Sequence, residues 1–188
     1  NLLYSKYRIA EDVDMFYRLL ANTPKIAYNH CPKYYYLQRV TSLAGSVSAA
    51  TKPPIAILEV FENVYKYYKE NKEELLKDCN YYNFLSLLHT FNNYKAQNKN
   101  EFYKKCHDLM KDLNVEIDKD KHPFEAYSCH IMKTNGDYNI YFDKVERIKK
   151  KVFSVAWWIP SITLREKYKK YNLNKIAKKK FEEELKNQ

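Results

Sequence analysis

Apolar residues recur at helical rather than strand spacing over most of the chain. The first run places Val13, Phe16, Tyr17 and Leu20 on one face, at the i, i+3, i+4, i+7 positions that a helix buries. Glu11 and Asp12 lie at the start of this helix, where unpaired N–H groups and the positive end of the helix dipole stabilise carboxylates. Residues 7–10 read as a short extended entry, and Pro24 stops the helix. Two short strands are predicted next, over 25–30 and over the aromatic run 34–38, with Pro32 between them. Residues 41–51, rich in Ser, Ala and Thr around Gly45, read as a loop.

After Pro53 and Pro54 the pattern turns helical throughout. Ile57, Phe61, Val64, Tyr65 and Tyr68 form one stripe, which runs to Asn71. Leu75, Leu76, Cys79, Phe84, Leu87, Leu88 and Phe91 support a second helix. Phe102, Cys106, Leu109, Met110 and Leu113 support a third. Pro123 and the Asn135-Gly136-Asp137 turn separate these from a final helical region, interrupted at Pro160 and resumed from about Leu173. The fold class expected is therefore mainly α with a small α/β remnant at the N-terminal end.

Size and charge refine this picture. A chain of 188 residues buries enough apolar surface to fold without disulfides or metals. Its net charge of +10 suggests an anionic partner only if it is spread over the surface. It is concentrated instead: residues 144–180 hold thirteen Lys or Arg against Glu146 and Glu166, a balance of +11, which leaves −1 for everything else. Four widely spaced cysteines and no apolar N-terminal stretch make a reducing, cytoplasmic setting the simplest reading.

Within the first 46 residues three segments arrive in a fixed order. They are Ile9-Ala10-Glu11-Asp12-Val13-Asp14-Met15-Phe16, then Lys25-Ile26-Ala27-Tyr28, then Pro32-Lys33-Tyr34-Tyr35-Tyr36-Leu37-Gln38-Arg39-Val40-Thr41-Ser42-Leu43. This trio resembles the second half of the GT-A domain of family 2 glycosyltransferases of the bacterial capsule and exopolysaccharide type. In that family a Glu-Asp pair opens a helix, a strand follows, and a tyrosine-rich segment with an arginine closes the domain. The resemblance covers residues 1–46 and implies a C-terminal piece of a GT-A domain over 1–51, a helical region over 52–143 and a basic helical tail over 144–188.

The resemblance also implies chemistry. The intact enzyme would transfer a sugar from a nucleotide-sugar donor to a saccharide or lipid-linked acceptor with inversion. Asp12, matching the second residue of the family's pair, is the candidate catalytic base, because a short acidic side chain at a helix start can be aimed into a cleft. Glu11 would orient it or bind acceptor, and Asp14 is the reserve choice. Asp12 and Asp14 are two positions apart, so only one of them should face a cleft. Arg39 would contact the diphosphate through its guanidinium fork or fix its loop, alongside Tyr36 and Ser42. The family's nucleotide-binding half and the Asp-x-Asp motif that it carries upstream of the Glu-Asp pair, which holds Mg or Mn, are not in this sequence. A truncated enzyme, inactive alone and without its own cofactor, is therefore expected.

Other readings compete. The acidic residues suit an ordinary helix N-terminus, and the tyrosines suit a half-buried strand. His30-Cys31, Cys106-His107 and Cys129-His130 lack the Cys-x-x-Cys or His-x-x-x-His spacing of zinc sites, so no metal site is expected. Nothing singles out a nucleophilic Cys-His pair. The sequence pI of about 9.2 and 16% aromatic content raise a nucleic-acid-binding helical protein as an alternative. The confinement of the charge to the tail and the lack of a readout motif speak against it. A helical interaction module is a third possibility.

The tail carries its own signal. Val145, Ile148, Val152, Val155, Ala156 and Ile159 recur at near-helical spacing between Lys149-Lys150-Lys151 and Arg165-Lys167-Lys169-Lys170, with Trp157 and Trp158 in the middle. A basic helix with tryptophan beside an apolar stripe suits the interface of an anionic membrane, which would place the protein peripherally on the inner face of the plasma membrane. Alternatively, both tryptophans are core residues that dock the last helix, with Pro160 a simple helix break.

Overall fold

A computed structural model describes residues 11–27, 55–93 and 99–186. The predicted strand 34–38, together with Tyr36, Arg39 and Ser42, lies outside them, as does most of 25–30. Among the described residues every regular element is helical, so the chain is mainly α. In order these are α1 (Glu11–Asn22), α2 (Ile55–Asn71), a short 3₁₀ turn (Glu73–Leu75), α3 (Leu76–Asn93), α4 (Lys99–Asp112) and α5 (Pro123–Thr134). A short α6 (Tyr138–Tyr141) runs through a π turn (Phe142–Glu146) into α7 (Arg147–Ala156), and α8 (Ile162–Lys186) ends the described chain.

The stripes expected of α2, α3 and α4 do form the core. Phe61, Val64, Tyr65 and Tyr68 of α2 are buried, as are Phe84, Leu87 and Phe91 of α3 and Phe102, Cys106 and Met110 of α4. Helix α4 closes without glycine. Asn114 takes the left-handed conformation at φ 49°, its N–H bonds Lys111 O, and the N–H of Val115 reaches back to Met110 O. This pairing satisfies the last carbonyls of the helix, and the buried Val115 side chain seals the turn.

At the centre lies α5, an element the apolar pattern did not mark as a helix. Pro123 starts it at N1, where the missing N–H costs nothing, and eight of its side chains are buried. Tyr127, Ile131 and Met132 meet the aromatic cluster of Phe91, Tyr103 and Tyr141 in one continuous core. Helix α8 packs along α5 through Leu173, Ala177 and Phe181, and α7 turns back on α8. Lys144 pairs with Glu184 across α8, and Lys169 sits over the Phe153 ring, so the two run antiparallel. Lys144 itself falls inside the π turn, and Val145 and Val152 share the main core.

Helix α1 docks on α2. Tyr68 donates its hydroxyl proton to Tyr17 O at 2.8 Å, Asn22 bonds the Tyr67 hydroxyl at 2.7 Å, and Tyr17 meets Tyr68 edge-on. The orientation of α1 differs from the one its apolar stripe predicts: Phe16 is 56% exposed, while Asp14 points inward at 3%. The helix is rotated because Arg18, one turn on, reaches Asp14 at 2.7 Å and neutralises it on the inner face. Two further differences concern the ends of elements. The three described residues of the expected strand 25–30 are irregular, and α8 begins at Ile162 rather than near Leu173.

Candidate functional site

Two regions carry the residues singled out from the sequence. The first is the start of α1. The Asp12 side chain is exposed, and its Oδ1 accepts the Val13 N–H at 2.9 Å. Asp14 is buried against Arg18, whose guanidinium donates to its Oδ2. The two carboxylates are thus separated by environment: Asp12 faces solvent at the positive end of a helix, while Asp14 is tied into the α1 interior. Glu11 opens the same helix. Tyr36, Arg39 and Ser42 lie outside the described residues, so their position relative to Asp12 is not part of this site's geometry.

The second region is the tip of the α7–α8 hairpin. Val152 and Ala156 face inward, whereas Trp157 is 72% exposed and Trp158 is 85% exposed. The alternative in which both rings are core residues is therefore overturned. The physical reason lies in the phase of α7: once Val145, Val152 and Ala156 take the inner stripe, the next two positions point away from the body. Val155, Ile162 and Leu164 are exposed beside them. The turn is held by Arg165, whose Nε and Nη2 both donate to Ile159 O at 3.2 and 2.9 Å, with its guanidinium 5.3 Å from the Trp157 ring centroid. Lys150 and Lys151 stand exposed behind the tip; Lys149 is half-buried beside Glu146.

No protein-family model, curated protein or solved structure matches the chain.

A third feature was not legible beforehand. A cleft of about 420 Å³ opens between the 115–120 connection and α5, with Lys77, Glu116, Asp118, His130, Lys133 and Phe181 on its walls. None of the residues expected at a site lines it. Asp118 accepts the N–H groups of Lys121 and Asp120, which hold its carboxyl below the ordinary value and fix the loop. His130 is held below its ordinary value of 6.5 by burial, opposed by Glu184 and reinforced by Lys133 and Lys144. The walls mix both signs of charge, with Lys77, Lys119 and Lys133 beside Glu116, Asp118 and Asp120.

The cysteines among the described residues, Cys79, Cys106 and Cys129, are core residues. Burial pushes the thiols of Cys79, Cys106 and Cys129 up to about 12, so they are protonated at neutral pH. His107 bonds Met132 O through Nδ1 at 2.7 Å rather than its neighbour's sulfur. Among the described residues no three His, Cys, Asp or Glu side chains come together to hold a metal ion. The described residues form no cradle for the divalent cation that the glycosyltransferase resemblance implies.

Proposed function

We propose that this chain is the acceptor-side part of a family 2 glycosyltransferase, with Asp12 as the catalytic base. The observation that carries the choice of residue is the division of labour in α1. Asp12 is exposed at the helix start, while Asp14 is buried and bound to Arg18. A base must reach the proton it removes, and a carboxylate already engaged by a guanidinium on an inner face cannot do so without breaking that pair.

In this reading the acceptor hydroxyl gives its proton to Asp12 as its oxygen attacks the anomeric carbon. The bond from that carbon to the diphosphate breaks, and the nucleoside diphosphate leaves with the electron pair. The sugar is inverted by this single displacement. Glu11, one position before Asp12 in the first turn, would orient the acceptor, and Arg39 would hold the diphosphate with Tyr36 and Ser42. The donor and any Mg or Mn would be held by a nucleotide-binding half carrying the Asp-x-Asp motif.

The decisive experiment uses the enzyme in which this chain is joined to such a half. Asp12→Asn there abolishes sugar transfer while donor binding, measured by calorimetry, stays within about threefold of the parent. Full turnover by Asp12→Asn would overturn the assignment.

A further inference from the structure

The α7–α8 tip has no role in sugar transfer as read above, yet it is the most conspicuous apolar surface among the described residues. Trp157, Trp158, Ile162 and Leu164 are exposed at and beside the turn between α7 and α8. Behind it stand Lys150, Lys151, Lys167 and Lys170, all exposed. Lys151, Lys167 and Lys170 make no ion pair among the described residues, so their charge is available to a partner. Apolar rings in front and free ammonium groups behind form the charge pattern that complements an anionic bilayer, whose phosphates lie outside its acyl region.

We propose that the α7–α8 tip is a membrane-interface anchor: Trp157, Trp158, Ile162 and Leu164 enter the headgroup region of an anionic bilayer while the lysines behind them bind lipid phosphates. The dimensions agree. Six residues of helix separate Lys151 from Trp157, roughly 9 Å at about 1.5 Å per residue, and interfacial helices bury their apolar face by about 5–10 Å. Lysines at that spacing sit at the phosphate plane when the rings are at the acyl boundary. On one helix face Lys151, Val155 and Trp158 follow i, i+4, i+7 spacing, and on the other Leu164 and Lys167 follow i, i+3, so each helix presents the same order of apolar tip and cationic shoulder. Arg165 holds the turn through Ile159 O and the Trp157 ring, so the rings are presented without further ordering. Among the described residues no helix is long and apolar enough to cross a membrane, which fits attachment at one face by this tip. The proposal does not depend on the glycosyltransferase reading.

The chain carries its own probe, because both of its tryptophans are at the tip. Selective excitation of tryptophan in the full chain, titrated with phosphatidylcholine vesicles with and without phosphatidylglycerol, reads the tip alone. The expected result is a shift of emission to shorter wavelength with the anionic vesicles, reversed by high salt, and little change with neutral ones. By vesicle flotation, Trp157→Ala with Trp158→Ala lowers partitioning by at least about tenfold. Each Lys→Gln at 151, 167 or 170 lowers it by about fivefold, the factor that corresponds to about 1 kcal/mol per surface cation. All the substituted positions are exposed, so unchanged helical circular dichroism verifies the fold of the variants. Unshifted tryptophan emission with anionic vesicles at low salt overturns the proposal. So does emission already short in wavelength in a concentration-dependent dimer without lipid, or a shift produced by a single-stranded oligonucleotide but not by vesicles.

Discussion

Helix α5 and the α7–α8 tip are both rich in apolar and aromatic side chains, yet among the described residues one forms the centre of the core and the other is the most exposed apolar surface. Phe124, Tyr127, Ile131 and Met132 are buried, whereas Trp157, Trp158, Ile162 and Leu164 are exposed. Composition does not separate them. What separates them is whether neighbouring elements cover them: α5 has α4 on one side and α8 on another, while the tip lies where the chain turns between two helices. Hydrophobic residues inside is a rule with exceptions on the outside, and a contiguous exposed patch is the informative case.

The comparison is sharpest in stability. Ile131 is fully buried among core residues, and Ile131→Ala destabilises the fold by about 2–5 kcal/mol through lost transfer energy and the cavity left behind. The pair Trp157→Ala, Trp158→Ala removes far more apolar surface but changes stability by under about 1 kcal/mol, since the rings are already in water. Urea unfolding of both variants measures the contrast. Equal losses would mean that the tip is packed after all.

Within α1 a second contrast separates stability from chemistry. Asp14→Asn removes the Arg18–Asp14 ion pair from a buried face and costs about 1–3 kcal/mol by thermal unfolding, whereas Asp12→Asn stays within about 0.5 kcal/mol. For sugar transfer in the joined enzyme the order reverses, with Asp12 essential. A residue that matters to both measurements equally would be a structural cap only.

The smallest effect concerns pH. The half-buried His130 faces Glu184, Lys133, Lys144 and the Phe181 ring, and its folded value lies below 6.5. As pH falls the unfolded chain takes up this proton first, so the stability His130 contributes is complete above about pH 6.5 and is lost as pH falls through its folded value. Melting curves from about pH 7.5 to about pH 5.5 should therefore slope more steeply in the parent than in His130→Gln. Identical slopes would show that the imidazole titrates alike in both states.

Much of this was legible in the order of residues. The stripes of α2, α3 and α4, the acidic opening of α1 and the basic tail all follow from spacing, because one-sided burial leaves a 3.6-residue period in the sequence. Helix α5 carries only a broken period: Phe124, Tyr127 and Ile131 share a face, but Ser128 falls among them and Glu125, His130 and Lys133 interrupt the run, although eight of the side chains end up buried. The rotation of α1 was also hidden. Phe16 is more hydrophobic than Asp14, yet the carboxylate is the inner residue, paired there with Arg18 one turn away. The start of α8 had a signal in Ser161, whose Oγ accepts the Leu164 N–H, but the exposed Ile162 and Leu164 form no stripe that points to a helix.

By itself, then, the sequence determined that this protein is helical, that its positive charge is gathered in the last quarter, and that two carboxylates stand two positions apart at a helix start. Only the tertiary structure decided which carboxylate is free, which helix is central and whether the tryptophans are inside. Helix formation is set by local spacing and propensity, but the choice of face depends on partners far away in the chain. Tyr68 on Tyr17, Phe181 on Tyr127 and Arg165 on Trp157 are contacts between elements, and they exist only once the helices have met.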